Sequence, residues 1–159
     1  SVALDEVVSQ VAHLLHRETE RAGVEVQLDL ADDLPMVEVA RDQVHQVVLN
    51  LCLNAIQASR AGGIITIGVH PDGPIEAPSG VRHSFQDAGE GISDENLERI
   101  FDPFFTTKDP DKGTGLGLMI SHQIIADHGG SIEVESKEGE GATFHVRLPA
   151  TGAESTASA

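Results

Sequence analysis

The sequence carries a single cysteine, Cys52, so it holds no internal disulfide and no four-cysteine zinc site. Cys52 lies in an apolar helical run and reads as a small buried hydrophobe. There is no Trp and no Tyr, and only five Phe, which weakens any reading built on aromatic stacking of bases or sugars. Positive charge is scarce. Ten Lys and Arg stand against 26 Asp and Glu, a net charge of −16 with a pI of about 4.6. Such a surface repels nucleic-acid backbones and anionic lipid heads, which argues against binding either through net charge. One anionic ligand held by backbone N–H groups remains compatible with it. No run approaches the roughly 18 apolar residues of a membrane span. The opening Ser1-Val2-Ala3-Leu4-Asp5-Glu6 lacks the basic-then-apolar order of a secretory signal. These absences point to a soluble, cytoplasmic chain in a reducing compartment, with no direct membrane insertion and no nucleic-acid partner.

What is present is 159 residues, one domain's worth, long enough to bury a core without staples. Residues 1–149 are expected to form that domain and 150–159 a frayed tail of small and polar residues. Apolar positions at 4, 7, 8, 11, 14 and 15 predict a helix from Val2 to about Arg21, ended by Gly23. Val24 to Leu30 alternates strictly, as a half-buried strand does. Asp42 to about Arg60 is helical, and Gly62-Gly63 stops it. Ile64 to Val69 is a strand, and Pro71 to Gly80 reads as an exposed loop. Val81, His83 and Phe85 alternate into a strand ending at Asp87. Ser93 caps a short helix through Phe101. Pro103 to Thr114 lacks periodicity and reads as a mobile lid. Gly117 to His128 is a helix ended by Gly129-Gly130. Ser131–Ser136 and Ala142–Leu148 form a closing hairpin. Segregated strands and helices predict an α+β two-layer sandwich, its mixed, mostly antiparallel sheet covered on one face by about three helices.

Four segments carry candidate chemistry. Asn50 and Asn54, four apart, share one helix face. A carboxamide oxygen is a hard ligand suited to Mg²⁺, though two asparagines also simply hydrogen-bond neighbouring loops. Asp87-Ala88-Gly89-Glu90-Gly91-Ile92 ends a strand. A buried carboxylate there accepts from an exocyclic amine such as adenine's, and the glycines admit a flat ring; the alternative is an ordinary strand-to-helix turn. Gly113-Thr114-Gly115-Leu116-Gly117-Leu118 runs straight into a helix, where consecutive N–H groups and the helix dipole suit phosphate. It is neither a Walker A loop nor a dinucleotide fingerprint, since no Gly-Lys-Ser/Thr follows and no strand feeds it. Gly139-Glu140-Gly141-Ala142-Thr143-Phe144 is a hairpin turn that could bring the Thr143 hydroxyl near Asp87.

Taken in order, these boxes, with Phe101-Asp102-Pro103-Phe104-Phe105-Thr106-Thr107-Lys108 between the second and third, resemble the catalytic ATP-binding domain of bacterial sensor histidine kinases. That domain has a Bergerat-type fold shared with gyrase B, the ninety-kilodalton heat-shock chaperone and MutL. The likeness covers about Val2 to Pro149 and is greatest to kinases of the nitrogen-regulator and dicarboxylate-sensor type. It implies ATP and Mg²⁺ as ligands, with Asn54 on the metal and Asn50 beside the phosphates. It implies that Asp87 reads the adenine amine, with Gly89, Gly91 and Ile92 shaping the pocket and Thr143 as hydroxyl partner. Gly113, Thr114, Gly115, Leu116, Gly117 and Leu118 would hold phosphates, with Thr106, Thr107 and the lid cation Lys108 facing them. Phe101, Phe104 and Phe105 would anchor the lid.

The resemblance implies an enzyme that transfers the ATP γ-phosphoryl group to a histidine on a separate dimerisation domain and serves a response regulator indirectly. Hydrolysing relatives carry Glu where this chain has Asn50, and a carboxamide cannot act as that general base. Ala88 stands where Asn is common, and Gln57 where many members carry Lys or Arg, which leaves Lys108, Arg60 or Lys112 to supply charge. None of the eight histidines has the neighbours of a phosphoacceptor, so the chain is expected to be a monomeric catalytic domain cut from a longer kinase. Two other readings are a non-catalytic binding module and an ATP-hydrolysing clamp of the gyrase or chaperone class.

Overall fold

The helical stripe at the start of the chain folds as two helices. The computed structural model describes residues 2–74, 76–102 and 117–150. In it α1 runs Leu4–Leu14 and α2 His16–Ala22, separated by Leu15 at φ −91° and ψ 11°. The break turns Leu15 into the core and leaves Leu14 at 59% exposure, so Leu14 is not part of the buried stripe expected of it. Gly23, at φ 68°, ends α2 in the left-handed conformation that a glycine adopts without strain.

The other elements are β1 (Glu25–Leu30), α3 (Arg41–Ala58), β2 (Ile64–Asp72), β3 (Gly80–Gln86), α4 (Asp94–Leu97), α5 (Gly117–Asp127), β4 (Ser131–Ser136) and β5 (Ala142–Pro149). Among the described residues the strands form one sheet in the order β1-β2-β3-β5-β4. Only β1 and β2 run parallel, joined through α3, and the other three pairings are antiparallel. The expected mixed, mostly antiparallel sheet is what forms. Ile65, Ile67, Val69, Val81, His83, Phe85, Ile132, Phe144, Val146 and Leu148 are buried. The apolar ones pack with Val7, Val8 and Val11 of α1, Val44, Val47, Val48 and Leu51 of α3, and Ile124 and Ile125 of α5. Polar residues such as Arg82, Ser84, His145 and Arg147 occupy the alternate positions and are only partly covered.

Three expectations are corrected. β1 alternates but is an edge strand, so its inward Leu28 stays 41% exposed. β2 continues through Pro71 to Asp72, where a loop was expected. Its pairing with β1 ends at Val69, so the missing Pro71 N–H faces an unpaired flank. The short helix capped by Ser93 ends at Leu97 rather than Phe101. Tighter i→i−3 bonds carry the chain onward, from Arg99 N–H to the Asn96 carbonyl and from Asp102 N–H to the Arg99 carbonyl.

Candidate functional site

The site is built on one row of α3. Asn50, Asn54 and Ala58 stand at i, i+4 and i+8, so they share one face along about 12 Å of helix. The buried residues Val44, Val47, Val48, Leu51, Cys52, Ala55 and Ile56 fix that face by packing the other side into the core. At the near end, the Asn50 Nδ2 donates to the buried Ser121 Oγ at 3.3 Å and weakly to the Gly117 carbonyl at 3.5 Å. Both acceptors belong to the first turn and a half of α5. Gly117 faces Asn50 closely enough that an added Cβ would lie 3.9 Å from the Asn50 Cγ. Asn54 is half-buried one turn further on.

At the far end, the Ala58 carbonyl abuts Gly89 in the loop that follows β3. A Cβ on Gly89 would collide with that carbonyl and approach the Asp87 Oδ1 to 3.2 Å. Asp87 is 4% exposed. Its Oδ1 accepts from the N–H of Gly89 at 3.0 Å and of Ala142 at 3.2 Å. The Asp87 N–H in turn donates to the Ala142 carbonyl at 2.9 Å, so the carboxylate oxygen takes up the next bond of the β3–β5 ladder. Among the described residues none bonds Oδ2. Burial raises the Asp87 pKa above its ordinary value, and the two N–H donors pull it part of the way back.

The loop is closed against the β4–β5 hairpin. Ile92 N–H donates to the Ser136 Oγ at 2.7 Å, and that hydroxyl donates to the Gly141 carbonyl at 2.8 Å. The Gly139 N–H donates to the Glu90 carbonyl at 2.6 Å. Gly91, at φ 75°, lies against the Lys137 carbonyl, and Gly141, at φ 83°, against the Asp87 carbonyl. The glycines of this loop are thus required by neighbouring carbonyls of the chain itself, a reason the sequence does not display.

The structure therefore brings together Asn50, Asn54, Asp87, Gly89, Gly91, Ile92 and Gly117 around one surface. Leu118 is half-buried against the core beside Gly117. Thr143 does not join them. Gln86 pairs with Thr143 and Phe85 with Phe144, so strand alternation puts Thr143 on the sheet face opposite Asp87. The group that meets the carboxylate is the Ala142 N–H, one residue earlier. Thr106, Thr107, Lys108, Gly113, Thr114, Gly115 and Leu116 lie outside the described residues, as do Phe104 and Phe105. Phe101 is described, and its ring meets that of His122 of α5 at 4.9 Å between centroids, tilted by 42°. Sequence reasoning missed Ser121 and Ser136. Both are small hydroxyl residues whose partners lie 71 and 44 positions away.

A family model for histidine kinase-, DNA gyrase B- and HSP90-like ATPases matches residues 39–152. The chain belongs to this ATPase family. Sensor histidine kinase ZraS of Escherichia coli strain K12 is 38% identical over 149 residues, 94% of this chain and 30% of that protein. Sporulation kinase E of Bacillus subtilis is 38% identical over 144 residues, 91% of this chain and 19% of that protein. The chain thus spans less than a third of the length of these relatives. Among solved structures, the nucleotide-free catalytic domain of histidine kinase ThkA is 36% identical with a TM-score of 0.78, over 92% of this chain and 94% of that one. Full-length ShkA in complex with AMPPNP is 29% identical with a TM-score of 0.81, over 97% of this chain and 32% of that one. Within the ATPase family, then, the chain is a histidine kinase catalytic domain. Among its described residues no helix is long and apolar enough to cross a membrane.

Proposed function

We propose that this histidine kinase catalytic domain, residues 1–149, binds ATP along the α3 row and delivers the γ-phosphoryl group to a histidine on a separate dimerisation domain. The observation that carries the reading is Asp87. Its Oδ1 is committed to two backbone donors, and no described residue bonds Oδ2, which suits an adenine amine. From that end of α3 the row leads to Asn54 and Asn50, then to Gly117 at the start of α5, where the phosphates would lie. Gly113, Thr114, Gly115, Leu116, Thr106, Thr107 and Lys108 would complete the phosphate contacts.

Asn54 is the proposed Mg²⁺ ligand. Among the described residues no group of three His, Cys, Asp or Glu is placed to hold a metal. A single carboxamide supplemented by phosphate oxygens and waters suits Mg²⁺, which binds few protein groups when phosphates are present. The ion would neutralise charge on the transferring phosphoryl group. The rest of catalysis is positioning, as in phosphoryl transfer generally. Asn50 has no basic lone pair to activate water, which favours transfer over hydrolysis. A response regulator would then take the phosphoryl group from the histidine, and ThkA has been solved in complex with response regulator protein TrrA.

Calorimetric titration with a non-hydrolysable ATP analogue, with and without Mg²⁺, tests the reading. Magnesium-dependent binding in the micromolar-to-millimolar range, about −8 to −4 kcal/mol, is expected. A folded domain that binds no nucleotide at millimolar analogue would refute it. Adding a separately expressed histidine hairpin and ATP should then yield phosphohistidine.

A further inference from the structure

The Asp87 loop has little secondary structure of its own between β3 and α4, yet its geometry decides what Asp87 presents. Among the described residues it is hydrogen-bonded to the β4–β5 hairpin at three points, the first of them Ala142, whose carbonyl also accepts from the Asp87 N–H at 2.9 Å. The Ala142 N–H reaches Asp87 at 3.2 Å, and the Gly139 N–H reaches Glu90 at 2.6 Å. The third is the only one made by a side chain of the hairpin. The Ser136 hydroxyl accepts from Ile92 N–H at 2.7 Å and donates to the Gly141 carbonyl at 2.8 Å. It thus links the far end of the loop to the residue that precedes Ala142. Both bonds are short and well within the range of strong neutral hydrogen bonds. Ser136 ends β4 and pairs with Ala142, so its own position is fixed by the ladder.

We infer that Ser136 is a positioning residue for base recognition. Its hydroxyl buckles the Asp87–Ile92 loop onto the hairpin and so fixes the carboxylate that selects adenine. The inference rests on the function proposed above and extends it. Among the described residues the hydroxyl bonds backbone groups, the Ile92 N–H and the Gly141 carbonyl. Its effect is confined to the end of the site where the base would lie, since Asn50, Asn54 and Gly117 are held by α3 and α5. Removing it frees the Ile92 N–H and the Gly141 carbonyl together, so the loop loses its tether at the Ile92 end while the bonds at Ala142 and Gly139 remain. Thr at 136 keeps a hydroxyl on the same carbon, whereas Ala removes it.

The test is to titrate the full 159-residue chain and its S136A and S136T variants with ADP, with GDP and with inorganic triphosphate. Thermal melts establish folding. S136A should bind ADP about tenfold more weakly, the order of one lost tether of this kind. Its ADP-over-GDP preference should shrink, triphosphate affinity should stay unchanged, and S136T should restore ADP binding. Amide exchange at Ile92 and Gly89, which needs no ligand, should quicken in S136A alone. Wild-type ADP affinity and base preference in a folded S136A would overturn the inference. So would equal losses for ADP and triphosphate, or an S136A chain that does not fold, since either assigns Ser136 to general stability. Absence of ADP binding by the wild-type chain would instead sink the proposed function, and the inference with it.

Discussion

Asp87→Asn separates recognition from folding at one atom. Asn keeps the shape of the side chain and keeps Oδ1, so both backbone donors, Gly89 N–H at 3.0 Å and Ala142 N–H at 3.2 Å, retain their acceptor. The change falls on the other atom. An anionic oxygen able to accept from an adenine amine becomes an NH₂ group that meets that amine donor to donor. A hydrogen bond to a charged group contributes about 1.5–3 kcal/mol, so ATP-analogue affinity should fall by about ten- to a hundredfold. Stability should move the other way. Burial raises the Asp87 pKa in the folded state, so folding is favoured by the protonated form. That contribution is present below the unfolded pKa and is lost as pH rises through the folded one. At neutral pH the wild-type chain bears the cost of a buried carboxylate, and Asn removes it. The variant should melt no lower than wild type, and its advantage should disappear in acid. Calorimetry with the ATP analogue reads the first effect and melts at pH 7 and pH 4 read the second. An inosine nucleotide, which offers a carbonyl where adenine offers an amine, should lose less affinity than ATP does. A folded variant with wild-type ATP-analogue affinity would refute the assignment of Asp87 to the base.

Other changes read other parts of the structure. His83 is 2% exposed on β3, its Nε2 has no partner among the described residues, and burial lowers its pKa from 6.5 to about 4. The wild-type chain should therefore lose about 3 kcal/mol of stability as pH falls from above 6.5 to below 4. His83→Val should remove most of that slope in urea titrations at pH 7 and 5, and an unchanged slope would place the acid sensitivity elsewhere. Gly89→Ala should cost about 1–3 kcal/mol of stability by forcing a Cβ against the Ala58 carbonyl, and should weaken nucleotide binding as the loop moves. An unaltered melt would show that the loop relaxes freely. Asn50→Glu should raise ATP hydrolysis, measured as phosphate release, and lower phosphotransfer, and no gain in hydrolysis would mean that Asn50 does not face the attacking water.

Much of this architecture was legible because it rests on periodicity. The α3 stripe and the alternation of β3 and β5 define which side chains are buried, whatever the neighbours do. The edge position of β1 was not legible, because alternation reports which residues point inward and not whether a helix covers them. Leu28 points inward and stays exposed for that reason. The break at Leu15 was hidden because residues 14 and 15 are both leucines, and only packing decides which of them the core takes.

Thr143 shows the same limit at the site. A hairpin turn of uncertain length leaves two registers open, and a slip of one residue exchanges every side chain between faces. The pairing of Gln86 with Thr143 settles it against the hydroxyl and in favour of the Ala142 N–H. Gly89 and Gly91 read as space for a ligand ring, and Gly141 as part of a hairpin turn. The contacts at Gly89, Gly91 and Gly141 are instead with carbonyls of Ala58, Lys137 and Asp87, three approaches between segments distant in sequence. Ser136 was invisible because a serine near a strand end is unremarkable until its partner 44 residues away is placed beside it.

Asn50 joins the fold and the chemistry most directly. Its Nδ2 is a donor to Ser121 and, weakly, to the Gly117 carbonyl, so the carboxamide is part of what seats α5 against α3. A carboxylate at this position would place an acceptor against the Gly117 carbonyl, and only the Ser121 hydroxyl could turn to meet it. The residue proposed to withhold a base from water is thus also one whose N–H donates to the first turns of α5. Asn50→Glu would therefore supply a base at the cost of the bonds that seat α5. On the proposed reading, a preference for transfer over hydrolysis would be tied to how α3 and α5 pack.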